Sequence, residues 1–214
     1  MAPAPEPRPK PRSAPAPSAT IPFVGLTGGI GAGKSEALAA LERLGAATLS
    51  TDAVVHELYA SPEVRDAVVE RWGPEVDAGD GVDRAAVARA AFASPADRAW
   101  LEGLLWPRVG ARIGDWREEL GRRRPPPRAA VVEVPLLFEA RMEGAFDATV
   151  AVVADEAVRR ERAGARGHAA LDERGARQLS QEEKARRADH VVVNDGSLQD
   201  LELKLSAILA KLGA

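Results

Sequence analysis

After residue 20 the chain carries five short apolar runs rich in β-branched residues: Ile21–Leu26, Ala46–Leu49, Ala129–Val134, Ala148–Val153 and His190–Val193. The last three are almost continuous in valine and lack a clean apolar–polar alternation. Such runs predict parallel strands buried on both faces. Helical periodicity lies between them. Lys34–Leu44 predicts a helix stopped by Gly45, at the position where a left-handed cap is needed. Asp155–Arg166 predicts another. The last helix begins at Ser197 with Asp200 three residues on, as in a capping box, and places Leu198, Leu201, Leu205, Ile208 and Leu212 on one face. Strands alternating with helices predict an α/β fold built on a five-stranded parallel sheet.

One stretch breaks the alternation. About 80 residues between the second and third runs carry no strand signal. Ser61-Pro62 predicts a capped helix start with proline in its first turn, and Gly73 follows Trp72 near its end. Ser94-Pro95 with Asp97 predicts a second start, followed by Leu101, Leu105, Val109, Ile113, Trp116 and Leu120 at near-helical spacing. Pro107 within that run predicts a kink or a restart. Arg122–Arg128, RRRPPPR, breaks the pattern before the third strand. The expected organisation is a core (21–55, 128–156 and 187–214), a helical insertion (56–127) over the sheet's carboxyl edge, and an arginine-bearing lid (157–186).

Residues 1–20 hold seven of the 16 prolines and almost nothing that could form a core, so they read as a disordered tail. The chain has 214 residues, 45% hydrophobic and 29% charged, which fits one globular domain with an insertion. No apolar run is long enough to span a membrane, and none resembles a secretory signal. With no cysteine there is no disulfide framework, thiolate metal site or cysteine nucleophile, as in a cytoplasmic protein. The net charge of −3 and the 4% aromatic content give neither the basic footprint nor the stacking platforms of a nucleic-acid binder. An anionic ligand must therefore be held by a local arrangement.

Gly28-Gly29-Ile30-Gly31-Ala32-Gly33-Lys34-Ser35 supplies one, matching G-x-x-x-x-G-K-[ST] between a predicted strand and a predicted helix. Its glycines let successive backbone N–H groups converge on phosphate oxygens, and the following helix adds its positive end. Lys34 is expected to reach the β- and γ-phosphates of ATP, and the Ser35 hydroxyl to ligate Mg²⁺. A GTPase does not fit, because Asn194 is the only asparagine and no N-K-x-D motif exists. A small kinase remains.

Further candidates follow from position. Asp52, just past the second strand, could accept an acceptor proton or hold Mg²⁺ through water, or it could simply cap a helix. Glu133, ending the third strand, occupies a Walker-B-like place suited to water-mediated Mg²⁺ ligation, or closes a buried strand. Arg162 and Arg166, four apart, could close over the triphosphate or form part of a solvated face with Arg159, Arg160, Arg174 and Arg177. His56, His168 and His190 lack metal-ligand spacing. Trp72, Trp100, Trp106 and Trp116 all fall in the insertion and read as its small core, although one could line an acceptor pocket.

Taken together these motifs resemble the dephospho-CoA kinase family. The likeness runs from Leu26–Ser35, through Asp52, Val82-Asp83-Arg84 and Pro135-Leu136-Leu137-Phe138-Glu139, to Arg162, Arg166, Gln178, Lys184, Ala188-Asp189 and Asn194. It implies a P-loop core with a helical CoA-binding block and a lid, and transfer of phosphate from ATP to the ribose 3′-hydroxyl of dephospho-CoA. It implies Asp52, Lys34 and Arg162 as catalytic residues. It also implies Gly29, Ile30, Gly31, Ala32, Gly33, Lys34, Ser35, Glu36, Arg166 and Asn194 around the nucleotide. Asp52, His56, Trp106, Pro135, Leu136, Leu137 and Glu139 are then expected around the acceptor, in a monomer or weak homo-oligomer with no nucleic-acid or membrane partner. The sequence departs from the family pattern at Ser50 (family aspartate), His56 (commonly arginine), Trp106 (histidine before proline) and Glu36 (commonly threonine, at an expected exposed helix position). Another small-molecule or nucleoside kinase, or a non-catalytic nucleotide-binding regulator, are the alternatives.

Overall fold

The valine-dense runs need apolar cover on two sides, and the chain provides it by folding helices over both faces of a sheet. The computed structural model describes residues 21–165 and 178–213. Strands β1 (Phe23–Gly28), β2 (Ala47–Ser50), β3 (Ala130–Glu133), β4 (Ala148–Val153) and β5 (His190–Val193) form one parallel sheet in the order β2-β3-β1-β4-β5. Ser50 and Leu26 both lie level with Glu133, so the carboxyl ends of β2, β3 and β1 share one edge. The proline-rich tail and Arg166, each the subject of an expectation above, lie outside the described residues.

The helices are α1 (Lys34–Arg43), α2 (Thr51–Ala60), α3 (Pro62–Trp72), α4 (Arg84–Ala93), α5 (Pro95–Arg122), α6 (Glu156–Ala165), α7 (Gln181–Arg187) and α8 (Leu198–Leu212). Helices α1 and α8 cover one face, where Ala37, Ala40, Leu41, Leu201, Leu205 and Leu209 pack on Val24, Leu26, Val131, Val150 and Val152. The alternating residues Phe23, Ala130 and Val132 face the other way, against Leu120, Leu137 and Phe138. Alternation along strands is therefore apolar on both sides, as the unbroken valine runs require.

Several expectations need correction. Strand β5 is an edge strand buried on one face only, with Val192 buried and Val191 and Val193 each 44% exposed. Leu198 opens α8 at 55% exposure and does not join its buried face, which is made by Leu201, Leu205, Ile208 and Leu209. The capping box at Ser197 and Asp200 is present. Pro107 causes no restart, and α5 runs through it for 28 residues. The Arg108 guanidinium donates to the Leu104 carbonyl at 2.7 Å, one turn back on the same helix.

The tryptophans do not form one core. Trp72 and Trp100 meet edge to face at 5.1 Å beside a cluster of Val64, Val68, Val76, Val82, Val87 and Leu105. Trp116 instead packs against the sheet-side cluster with Ile113 and Leu120, and Trp106 is 58% exposed. Helix α4 has little signature in apolar periodicity, because its Ala-rich run offers little apolar contrast. Its signal is Asp83, whose carboxylate accepts from the N–H groups of Ala85 (2.9 Å) and Ala86 (3.1 Å) as an N-cap.

Candidate active site

The phosphate loop leaves β1 at the middle of the sheet and enters α1 through Gly33. Gly33 sits at φ 92°, and a Cβ there would overlap the Asn194 side-chain amide. Left-handed backbone and close approach thus both demand glycine at this position. Gly29, Ala32 and Gly33 are buried and Ile30 and Gly31 half-buried, so the loop is packed as well as turned.

Lys34 folds back over the loop, its Nζ donating to the carbonyls of Gly28 (3.0 Å) and Gly29 (3.1 Å). Burial holds its ammonium below the usual lysine pKa, opposed by the negative charges of Glu133 and Asp52 and reinforced by Lys184 and Arg159. Glu133 is buried at 8% exposure where β3 ends. Asp52 is exposed in the first turn of α2. The residue before α2 is Ser50, which makes no side-chain cap, and Asp52 is already inside the helix, so the capping alternative for Asp52 fails. The adjacent Thr51 hydroxyl donates to the Glu133 carbonyl at 2.9 Å and fastens the start of α2 to the end of β3. Both carboxylates therefore stand at neighbouring strand ends, and their charges act on the loop lysine.

Ser35 is exposed in the first turn of α1. Among the described residues no cluster of three or more His, Cys, Asp or Glu could hold a metal unaided. A hydroxyl and one or two carboxylates are the sparse, hard-oxygen donor set that suits Mg²⁺ shared with a polyphosphate. Glu36 is half-buried, unlike the exposed position expected, with one carboxylate oxygen enclosed near Gly33.

A cavity of about 550 Å³ opens beside the loop, lined by Gly29, Ile30, Ala154, Arg159, Gln178 and Gln181 among others. Arg159 reaches the loop directly. Its Nε donates to the Ile30 carbonyl at 2.9 Å, and its backbone crowds Gly31 so closely that a Cβ there would collide. Sequence spacing singled out Arg162, whose Nη1 instead donates to the Asn194 carbonyl at 3.0 Å. Asn194 is buried at 4% exposure, with its backbone N–H on Val153 O (2.8 Å) and its side-chain amide on Ala32 O (2.9 Å). It ties the end of β4, the phosphate loop and α6 together.

The Pro135–Glu139 segment divides. Pro135 is half-buried and Leu136 is 41% exposed, so these two remain available to an acceptor. Leu137 is fully buried, packed where a Cβ on Gly25 would strike its Cδ1 at 2.6 Å. Its expected place around the acceptor is thereby corrected: the side chain fills the core under β1. Glu139 likewise turns inward, where Oε1 accepts from Leu179 N–H (2.7 Å) and meets Lys184 Nζ at 3.0 Å. His56 is exposed on α2, one turn beyond Asp52, and Trp106 is exposed on α5.

Residues missed by spacing share one property. Arg159 was lost among neighbouring arginines, and Gln181 was unremarkable in sequence. In the fold Gln181 accepts from Ala154 N–H (3.0 Å) and donates to Ala154 O (2.9 Å), pinning α7 to β4. Only the Ser180 N-cap, accepting from Glu183 N–H at 3.2 Å, marks α7 locally.

A family model described as dephospho-CoA kinase matches residues 22–200. The dephospho-CoA kinase of Deinococcus radiodurans is 41% identical over 192 residues, covering 88% of this chain and 91% of its own. That of Symbiobacterium thermophilum is 39% identical over 189 residues, covering 86% and 78% respectively. Among solved structures, the Thermus thermophilus protein TT1252 superposes with a TM-score of 0.74 at 36% identity, covering 89% of this chain and 97% of its own.

Proposed function

We propose a division of labour among the site residues from one premise: the chain belongs to the dephospho-CoA kinase family, transferases that catalyse the last step of coenzyme A biosynthesis. Membership over most of the chain favours this activity over another small-molecule kinase or an idle nucleotide-binding regulator.

The triphosphate of ATP lies along Gly29–Ser35, where backbone N–H groups and the start of α1 receive its oxygens. Lys34 exchanges its two carbonyl partners for the β- and γ-phosphates. Ser35 and Glu133 would hold Mg²⁺, which supplies charge neutralisation across the phosphates. The acceptor ribose meets Asp52, whose carboxylate takes the proton of the 3′-hydroxyl. That oxygen then bonds to the γ-phosphorus as the bond to ADP breaks, giving coenzyme A. Arg162 leaves the Asn194 carbonyl to stabilise the moving charge, joined by Arg166. The block 56–127, with His56, Trp106, Pro135 and Leu136, surrounds the rest of the acceptor, and 157–186 acts as the lid. We place this activity in the cytoplasm, in a monomer or weak homo-oligomer. Among the described residues no helix is long and apolar enough to cross a membrane.

What supports this reading is the position of Asp52 and Glu133 just past and at the carboxyl ends of β2 and β3, where both charges act on Lys34 of the phosphate loop. Its test is ADP release from Mg-ATP with and without dephospho-CoA, in the unaltered chain and in Asp52→Asn. Acceptor-dependent ADP that collapses in the variant is the expected result. Nucleotide binding without acceptor-dependent ADP would overturn the reading.

A further inference from the structure

Lys184 is among the largest fully buried side chains of the molecule, at 0% exposure. Burial lowers its pKa, and Glu139 opposes that shift. A lysine is taken wholly out of water only when its charge is paired and its hydrogens are used. Here Nζ reaches the Pro135 carbonyl at 2.5 Å, Glu139 Oε1 at 3.0 Å and the Thr27 hydroxyl at 3.5 Å. Thr27 Oγ1 in turn donates to Pro135 O at 3.2 Å.

These partners belong to different parts of the site. Pro135 and Glu139 bracket the segment whose exposed member is Leu136. Thr27 directly precedes Gly28, whose carbonyl holds Lys34. Lys184 itself sits one turn after Gln181, which lines the nucleotide cavity and is clamped to Ala154. Glu139 closes the circuit: the oxygen that meets Lys184 also accepts from Leu179 N–H in the cavity wall. Any displacement of residues 179–181 is thus passed through one carboxylate and one ammonium to residues 135–139.

We propose that Lys184 is a positioning residue whose buried pair with Glu139 couples occupation of the nucleotide cavity to the placement of the acceptor segment Pro135–Leu136. This rests on the assignment of that cavity to ATP and of that segment to dephospho-CoA. The pair touches neither reacting group. It acts by fixing two walls of the site to each other.

Coupling between two ligands is a free energy and is reciprocal, so it can be measured apart from folding and from turnover. The experiment is calorimetric titration of dephospho-CoA into the protein, with and without a non-hydrolysable ATP analogue and Mg²⁺, and then in the opposite order. In the unaltered chain each ligand should tighten the other by the same factor, about 5-fold or more. In Lys184→Met/Glu139→Leu, which leaves no unpaired buried charge, the factor should fall towards one. Glu139→Gln, which keeps the shape and an acceptor oxygen, gives the same comparison should the double variant fail to fold. Coupling retained in the folded variant would overturn the proposal, as would its absence from the unaltered chain. Failure of the unaltered chain to turn over dephospho-CoA at all would instead overturn the functional reading, and this proposal with it.

Discussion

Arg159 Nε donates to the carbonyl of Ile30 at 2.9 Å, so helix α6 is tied to the phosphate loop by an arginine that a four-residue spacing pattern passes over. Three residues on, Arg162 holds Asn194 O at 3.0 Å. Two of the three guanidiniums on α6 therefore rest on backbone oxygens, one of the loop and one of the residue after β5, each through a single nitrogen.

Replacement should separate their roles. Arg162→Ala is expected to lower turnover by ~10²-fold while weakening ATP binding much less, because charge develops mainly in the transition state. Single-turnover rates compared with calorimetric ATP affinity provide the check. Equal losses in both would make Arg162 a ground-state contact.

Asp52→Asn should reduce acceptor-dependent ADP formation by ~10²-fold or more, the usual worth of a positioned base. Because Asp52 is exposed and caps nothing, the thermal midpoint should scarcely move. Turnover within a few-fold of the unaltered chain would remove it from the chemistry.

Glu133 and Asp52 both favour the charged form of Lys34 against the burial that disfavours it. Removing the Glu133 charge leaves burial less opposed, so the lysine gives up its proton at lower pH. The alkaline limb of the turnover–pH profile should move towards acid in Glu133→Gln, read at saturating Mg²⁺. An unmoved limb would show that Lys34 does not titrate there.

Asp189 accepts from both the N–H and the hydroxyl of Thr149, each at 2.8 Å, and these bonds hold its carboxyl below its ordinary value of 3.8. The unfolded chain binds that proton more readily, so the contribution is present above the ordinary value and is lost as pH falls through the folded one. Asp189→Asn should cost about 1 kcal/mol near neutrality, discounted for the exposure of the residue, and flatten the stability curve in acid. Denaturant titrations across pH would reveal it.

Trp106 is 58% exposed on α5, in contrast to the packed pair Trp72 and Trp100. Trp106→Ala should therefore change stability by no more than ~0.5 kcal/mol. If the indole covers part of the acceptor, KM for dephospho-CoA should rise roughly 10-fold, within the range of a lost aromatic stacking contact. An unchanged KM would take Trp106 out of the acceptor site.

The features legible in sequence are those whose cause is local. Strand runs, the glycine loop, the caps at Ser94 and Ser197, and the stop at Gly45 follow from residue type and short spacing, and each stands within a residue or two of its expected place. The helix after Ser61 also starts where expected, but the Ser61 hydroxyl donates to Leu58 O at 2.6 Å and makes no side-chain cap. What was illegible depends on which distant neighbours meet. Leu137 and Leu136 are adjacent and chemically alike, yet one is buried and the other is 41% exposed, because only tertiary packing decides which faces β1. Lys184 lies among charged residues on α7 and looks solvated in sequence. It is buried because Glu139 and Pro135 arrive from roughly 45 to 49 positions away.

Helix α5 contributes Leu105 to the cluster of the helical block and Leu120 to the cluster beneath the sheet. With 28 residues it is about 42 Å long, enough to belong to both. Losing either cluster strips cover from the same rod, so neither half can come apart while the other keeps its full support. The chain should then melt in a single cooperative step rather than two, with amides near Leu105 and Leu120 exchanging at a common free energy.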